Sequence, residues 1–504
     1  INFTNLSTAG AIQRAREVGL RKTLGANLNM LRVQFLTESF LYTIIAVALG
    51  VALAIFALPL FNQILDKSIE LFQFGAGWLI ASILFIIIVT GFISGLYPAF
   101  VLSSYNPADS LRSASPKLGH TGFLRKSLVT FQFAITALLL IGTAIIYLQY
   151  NHIKEKNLGY NTEQIVILPS SNTWVLYDLD IYIDRLKQHP SVLNVSGSKS
   201  IMGSDQYSKY LITAEDNSDR ELSMSKLIVT HEFIQTLGIE LIAGRNFSEE
   251  FATDNEQALL VNRAAVEFLG WGSPADALGK FIDILGHRKR VVGVTEDFHY
   301  TFLKREIEPL IIELPLSLNA TLVNINFIKV KLNPGNPESA ISYMKEHWDD
   351  LDPAHPFEYY FYDEFKDSVY KTEQRMSEVV SILAILGIFV ACMGLFGLAS
   401  YSVYRRKREI GIRKAMGATA PGLFIMLSKD YLKLIVIANV IALPAAYYIG
   451  TNWLQNFPYR IDLLSVIPFI FVASLFVLLC ISLLSISSQS IKAAVLDPVE
   501  SLNR

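Results

Sequence analysis

A chain of 504 residues that is 52% apolar and only 17% charged is far more oily than a soluble protein of that length. A formal net charge of −2 gives no reason to expect a nucleic-acid partner, and the only cysteines, Cys392 and Cys480, both lie inside apolar runs and offer no disulfide framework. The composition is that of a membrane protein.

The first recognisable element is the stretch REVGLRKTLGAN, Arg16 to Asn27, which reads as a short charged helix. Apolar runs follow at about 39–61 and 77–101, then the tail NPADSL, Asn106 to Leu111, and a third run at about 127–149. Each run is close to the ~20 residues that a helix rising ~1.5 Å per residue needs to cross ~30 Å of hydrocarbon. Residues 151–375 contain no such run. Three more follow at about 379–403, 434–454 and 465–487, and none of the six holds a Lys, Arg, Asp or Glu. Ion-coupled carriers commonly place such groups on their pathway.

Charge sets the orientation. Residues 151–375 carry 22 Lys and Arg against 34 Asp and Glu, a net of −12, which leaves the remainder at +10. Positive loops stay inside, so Arg14–Arg32, Arg112–Lys126 and Arg405–Lys414 are placed in the cytoplasm. Six crossings then alternate without conflict, with the acidic segment outside and the C-terminus inside.

The outer segment reads as α/β. EQIVILP and KRVVGVTEDF have strand-like content, and NEQALLVNRAAVEFLGWG runs from a strand into a helix closed by glycine. EDFHY gathers Glu296, Asp297 and His299, a set that could bind metal; without a second His or Cys cluster it reads as a structural turn, and His231 with Glu232 is too isolated to count. Before the fourth span, Phe365, Val369, Met376 and Val380 fall near one helical face. This pattern predicts a stalk in which the membrane helix continues outward.

After the fourth span comes REIGIRKAMGAT, Arg408 to Thr419. An offset of 392 places Arg16 on Arg408, Glu17 on Glu409, Gly19 on Gly411, Arg21 on Arg413, Lys22 on Lys414, Gly25 on Gly417 and Ala26 on Ala418. At an offset of 391, NPADSL matches DPVESL, Asp497 to Leu502. A unit of charged helix, two spans and Asx-Pro tail is thus present twice. The second copy is preceded by a span that the first copy lacks. The sequence therefore reads as the C-terminal part of a longer chain whose remainder would hold a span, an outer domain and the start of another span.

Within each charged helix, Glu409 precedes Arg413, and Glu17 precedes Arg21, in the favoured i,i+4 order for an ion pair. Ile412 with Met416, and Leu20 with Leu24, form an apolar pair suited to the membrane interface or to a partner. Gly417 and Gly25 suit the left-handed residue that ends a helix, and Thr419 and Asn27 suit the cap of the next one. A plain positive-inside anchor would need only basic residues, not a repeated Glu, two Gly and their spacing.

These paired segments, with GLYPA at Gly95–Ala99 and MGLFGLAS at Met393–Ser400, resemble the FtsX/MacB-type permeases of ABC transporters in their large duplicated form. The stretches AGRNFSEEFATDNEQALLVNRAAVEFLGW and VVGVTEDFHY resemble the periplasmic core domain of that family. The resemblance implies an α-helical polytopic membrane protein with six transmembrane helices and an α/β extracytoplasmic domain, seated in a bacterial cytoplasmic membrane. Its implied divisions are a first permease unit at 1–112, a linker and third span at 113–150, a periplasmic core domain with stalk at 151–375, and a second permease unit at 376–504. It also implies that the helices carrying Arg16, Glu17, Gly19, Arg21, Lys22 and Gly25, and Arg408, Glu409, Gly411, Arg413, Lys414 and Gly417, dock on two separate ABC ATPase subunits. ATP would bind those subunits, leaving this chain with no cofactor and no enzyme activity. A periplasmic adaptor or an extracellular effector would be a further partner. In agreement, no G-x-x-x-x-G-K-[ST] phosphate loop occurs in the sequence.

ATP-driven movement of the outer domain would then export or extract amphiphilic substrates. The alternatives are a regulator of a cell-wall hydrolase or a sensor partnered with a histidine kinase. Glu38 and Asp430 match at the same 392 offset and are candidates for a latch to the basic helix. Pro98 and Pro444 are expected to bend their spans. No Ser-His-Asp or Cys-His spacing suggests an enzyme.

Overall fold

Long uncharged runs can satisfy their backbone in hydrocarbon only as helices or closed barrels, and this chain uses helices. The structure is a computed structural model; it describes residues 21–495 apart from 23, 25–26, 66–67, 74, 104–118, 205–206, 218–220, 302, 304, 370 and 406. The helices of the membrane segments are α1 (Leu28–Leu65), α2 (Ala76–Ser103), α3 (Gly119–Lys154), α4 (Lys371–Arg405), the short charged α5 (Lys407–Ala415), α6 (Ala420–Leu454) and α7 (Leu463–Val495). All but α5 contain a stretch long and apolar enough to cross a membrane. Pro444 sits inside α6, which continues past it; the Pro98 side chain lies outside the described residues, as do both Asx-Pro tails.

The chain divides into two units. One comprises Ile1–Leu148, Glu373–Trp453 and Ile461–Arg504, the other Gln149–Thr372 together with Leu454–Arg460. The last of these segments, the link between α6 and α7, was not expected from a boundary at 151–375.

In the membrane unit, small residues decide where helices meet, because lipid leaves close packing as the main attraction between them. On α2, a Cβ added at Gly91 would stand 2.7 Å from the Phe40 ring, and one at Gly95 2.9 Å from Ser39 Cβ. The glycines of this G-x-x-x-G pair therefore let α1 approach, and Phe92 meets Phe40 edge-on at 5.5 Å. Ser39 and Thr43 return their hydroxyl protons to carbonyls one turn back, so neither carries an unpaired donor into the bilayer. A second cluster joins α3, α4, α6 and α7 through Phe133, Ala137, Ala391, Leu395, Ala438, Ala442 and Leu478. Polar clasps cross it, from Tyr431 Oη to Leu398 O (3.0 Å), Ser474 Oγ to Asn439 Oδ1 (3.1 Å) and Ser485 Oγ to Cys392 O (3.2 Å). Cys392 and Cys480 are both free.

The other unit holds strands β1 (Ile165–Pro169), β2 (Val192–Ser198), β3 (Ser208–Ala214), β4 (Leu222–Ile228), β5 (Leu241–Gly244), β6 (Ala258–Asn262), β7 (Phe281–Ile284), β8 (His287–Thr295), β9 (Leu310–Glu313), β10 (Phe327–Leu332) and β11 (Tyr360–Phe361). One sheet has the order β11-β1-β10-β2, antiparallel throughout, and buries Val166, Leu168 and Val330 against the helices at 179–187 and 338–351. The other runs β5-β8-β6-β9-β4-β3-β7, and β7 pairs back to β8. Six strands thus close into a ring that leaves only β5 as an added edge, which removes most of the unpaired backbone an open sheet would expose.

The family-like stretches of this unit have structural work. Gly244 takes φ +77°, and a Cβ there would lie 2.3 Å from Val292 O, so only glycine fits. Arg245 then forms a bidentate pair with Asp254, 2.7 Å on each arm, stacked on Phe251. At the end of β6, Asn262 Oδ1 accepts from Ala265 N–H and Leu310 N–H, capping the helix Arg263–Leu269, which ends on Gly270 at φ +70°.

Candidate functional site

The charged helix α5 is a corner piece. Arg413 and Glu409 form the expected i,i+4 pair at 2.8 Å, with both side chains about half exposed. Ile410 is buried against Leu423 of α6, with Val403 and Met426 beside it, and Gly411 is buried as well. The helix ends as its sequence requires. Gly417 takes φ +89°, Ala418 N–H reaches Arg413 O (2.9 Å) and Gly417 N–H reaches Lys414 O (3.0 Å), closing the carbonyls of the last turn. Thr419 begins α6, its carbonyl accepting from Leu423 N–H (3.1 Å) and its hydroxyl from Gly422 N–H (3.4 Å). Lys414 is half-buried, and the side chain of Arg408 lies outside the described residues.

Of the first copy, Arg16, Glu17, Gly19, Leu20 and Gly25 lie outside the described residues. Those described parallel the second copy. Arg21 and Lys22 are helical, and Arg21 Nη1 donates to Gln34 Oε1 at 3.2 Å, just as Arg413 Nη1 contacts Met426 Sδ at 2.7 Å, 392 positions on. Asn27 begins α1 as Thr419 begins α6: its carbonyl accepts from Met30 and Leu31 N–H, and its Oδ1 from Asn29 N–H. Leu24 is 81% exposed and its counterpart Met416 is 82% exposed. Burial first, and Arg32 second, lower the pKa of Lys22. A large apolar side chain held out beside a half-exposed cation, twice over, is suited to docking rather than to core packing.

Ile412 is also exposed, so among the described residues nothing buries the expected apolar pair Ile412/Met416. Glu38 is half-buried on α1 and Asp430 exposed on α6. The face expected for a stalk is described in part: Phe365 belongs to the helix Tyr362–Val369 and Met376 to α4, which starts two turns before the span, while the Val369 side chain is outside the described residues.

The EDFHY residues go to separate partners. Glu296 holds Arg263 in a bidentate pair (2.7 and 2.5 Å), Asp297 Oδ1 accepts from Ala264 N–H (2.9 Å), and the His299 ring stands against Tyr459. Hydrogen bonding from Arg263 lowers the Glu296 pKa, whereas burial raises that of Asp297. Among the described residues no group of three His, Cys, Asp or Glu could hold a metal ion. Glu232 pairs with Lys187 at 2.6 Å. No local pattern signals the contacts Arg21–Gln34 and His299–Tyr459, which join residues 13 and 160 positions apart.

The profile described as FtsX-like permease C-terminal matches residues 1–107 and 381–494. These two membrane segments belong to the FtsX-like permease family. Both FtsX-like segments contain a copy of the charged motif and the two spans that follow it. Among curated proteins, a probable export ATP-binding/permease protein of Pseudomonas fluorescens is 26% identical over 290 residues, covering 55% of this chain and 42% of that protein. The probable syringafactin export ATP-binding/permease protein SyfD of Pseudomonas syringae pv. tomato is 26% identical, covering 55% and 41%. The macrolide export ATP-binding/permease protein MacB of a Shewanella species is also 26% identical, covering 54% and 41%. The chain spans less than half the length of these relatives. Among solved structures, the periplasmic region of MacB from Actinobacillus actinomycetemcomitans aligns with 43% of this chain and 97% of its own at 15% identity and a TM-score of 0.32.

Proposed function

We propose that this chain is the permease part of an ABC transporter of a bacterial cytoplasmic membrane, with residues 151–375 outside. Its two charged corners dock on ATPase subunits, and ATP-driven closure of those subunits moves the outer domain to export or extract amphiphilic substrates. The observation that carries this reading is the repeated corner, with Leu24 and Met416 equally exposed and an arginine contact between equivalent positions beside each. A two-fold ATPase offers two equivalent grooves, and a duplicated chain can fill both. The names of the relatives, which pair permease with ATP-binding, support the same reading.

The test is Glu409→Lys, and Glu17→Lys in the other copy, in the full-length protein. Each replaces an attractive i,i+4 pair by repulsion, a local cost of well under about 1 kcal/mol, so insertion should persist. At a docked interface a wrongly placed charge costs several kcal/mol, roughly a hundredfold in affinity. Loss of ATPase copurification at normal membrane yield is expected. Glu249→Lys, on an exposed loop of the outer unit, should leave association intact. Wild-type association in both helix variants would reduce the corners to positive-inside anchors.

A further inference from the structure

The link between α6 and α7 does not end with the membrane helices. Leu454–Arg460 cluster with the outer unit, and Leu454 and Phe457 are buried. Tyr459 is held on several sides. The His299 ring meets it edge-on at 4.7 Å, Lys156 Nζ lies 4.4 Å from its ring centroid, and Gln149 Nε2 donates to its carbonyl at 2.8 Å. A cation over an aromatic face and a perpendicular ring are both favourable arrangements for tyrosine.

The receptor is built by EDFHY. Phe298 and Tyr300 are core residues of the unit, fixing the backbone on either side of His299. The His299 N–H reaches Leu158 O at 2.8 Å, and Gly159 permits that approach, since a Cβ there would stand 2.8 Å from Asp297 O. Burial, with Lys156 adding to it, lowers the His299 pKa to about 4, so the ring is neutral and Lys156 supplies the charge on Tyr459.

We propose that residues 454–460 are a handle gripped by the outer unit, with Tyr459 as the gripped residue and His299, Lys156 and Gln149 as the positioning residues. Displacement of α6 and α7 is then delivered to the outer unit through this handle, in addition to the chain connections at the ends of α3 and α4. The transmission half of the proposal rests on the ATP-driven reading above; the grip half does not.

The experiment has two arms, both on the full-length protein in nanodiscs. In the first, amide exchange is followed over residues 455–461. Tyr459→Ala and His299→Ala should accelerate it at least tenfold, with β1 and β10 unchanged, and Tyr459→Phe should stay within threefold of wild type. Lys156→Met, which keeps the stem and removes the charge, should accelerate it about threefold even if the alanine variants fold poorly. Unchanged exchange in Tyr459→Ala, or in Lys156→Met should the former not fold, overturns the grip. In the second, the ATPase is added and the ATP-dependent change in energy transfer is read between dyes on cysteines at Ser113 and Glu249, in a background lacking Cys392 and Cys480. Tyr459→Ala should keep ATPase association but cut that change at least threefold, with Tyr459→Phe restoring it. A full-sized change with a loosened handle overturns the transmission. No change in the wild type overturns the ATP-driven reading and the transmission together, while the exchange arm still decides the grip.

Discussion

Two arginine–carboxylate pairs in this protein have the same chemistry and nearly the same length. Arg245 meets Asp254 at 2.7 Å and Arg413 meets Glu409 at 2.8 Å. They differ in burial. The Asp254 side chain is only 2% exposed and accepts both arms of its arginine as well as the Ser248 N–H, whereas both members of the Arg413 pair are about half exposed. A buried carboxylate left without its cation is costly, while an exposed pair contributes little because water and salt replace it. The outer-unit motif is therefore maintained by stability. The repeated charges of the corner are not, and their repetition points to something outside the chain.

The buried limit of this comparison is Lys329. It is fully buried on β10 with its Nζ on Ser198 Oγ, and burial alone pulls its pKa down to about 7. Because the folded pKa lies below the ordinary lysine value of 10.5, the unfolded chain binds the extra proton between pH 7 and 10.5, and stability rises with pH across that window. Lys329→Met should stabilise the outer unit by roughly 3–5 kcal/mol below pH 7, less at each step above it, and almost nothing near pH 10.5. Denaturation midpoints at pH 6, 8 and 10 check this. A pH-independent gain would show that the amine is not buried.

Asp254→Ala should cost about 2–4 kcal/mol, seen as a lowered melting temperature of the outer unit. Burial raises the Asp254 pKa, but bonds from Arg245 and Ser248 outweigh it and leave it below the ordinary value. The pair's contribution is thus present above the ordinary carboxyl range and lost as pH falls through the lowered pKa. The difference between wild type and Asp254→Ala should shrink on acidification. Glu409→Ala, at the exposed end of the comparison, should change folding by less than about 0.5 kcal/mol, measured as retention of helicity and membrane yield.

Local features were legible in the sequence. The six spans follow from uninterrupted apolar runs, the turn at Gly417 and the caps at Asn27 and Thr419 from residue type and spacing, and the strand-to-helix step at Asn262 from a short apolar run followed by a helical stretch closed by Gly270. What stayed hidden depends on residues far apart. Closure of the ring by β7 on β8 and β3 needs pairings that no local period encodes. Gly91 and Gly95 are visible as a spacing, yet only the structure shows that Phe40 and Ser39 fill the gap. His299 reads as a stray titratable residue until Tyr459 is placed against it. At the charged corners, the order of Glu409 and Arg413 announced a helix pair, but the equal exposure of Leu24 and Met416 required both corners to be folded.

That equal exposure is the most direct handle on the central claim, that both corners face an ATPase. A photo-crosslinking amino acid placed at position 24, and separately at position 416, in the full-length protein with its ATPase should give ATPase adducts of comparable yield from both positions. A probe at Phe85, exposed in the apolar stretch of α2, should give lipid adducts only. Lipid adducts alone from 24 and 416 would contradict the account and leave the repeated helices as anchors.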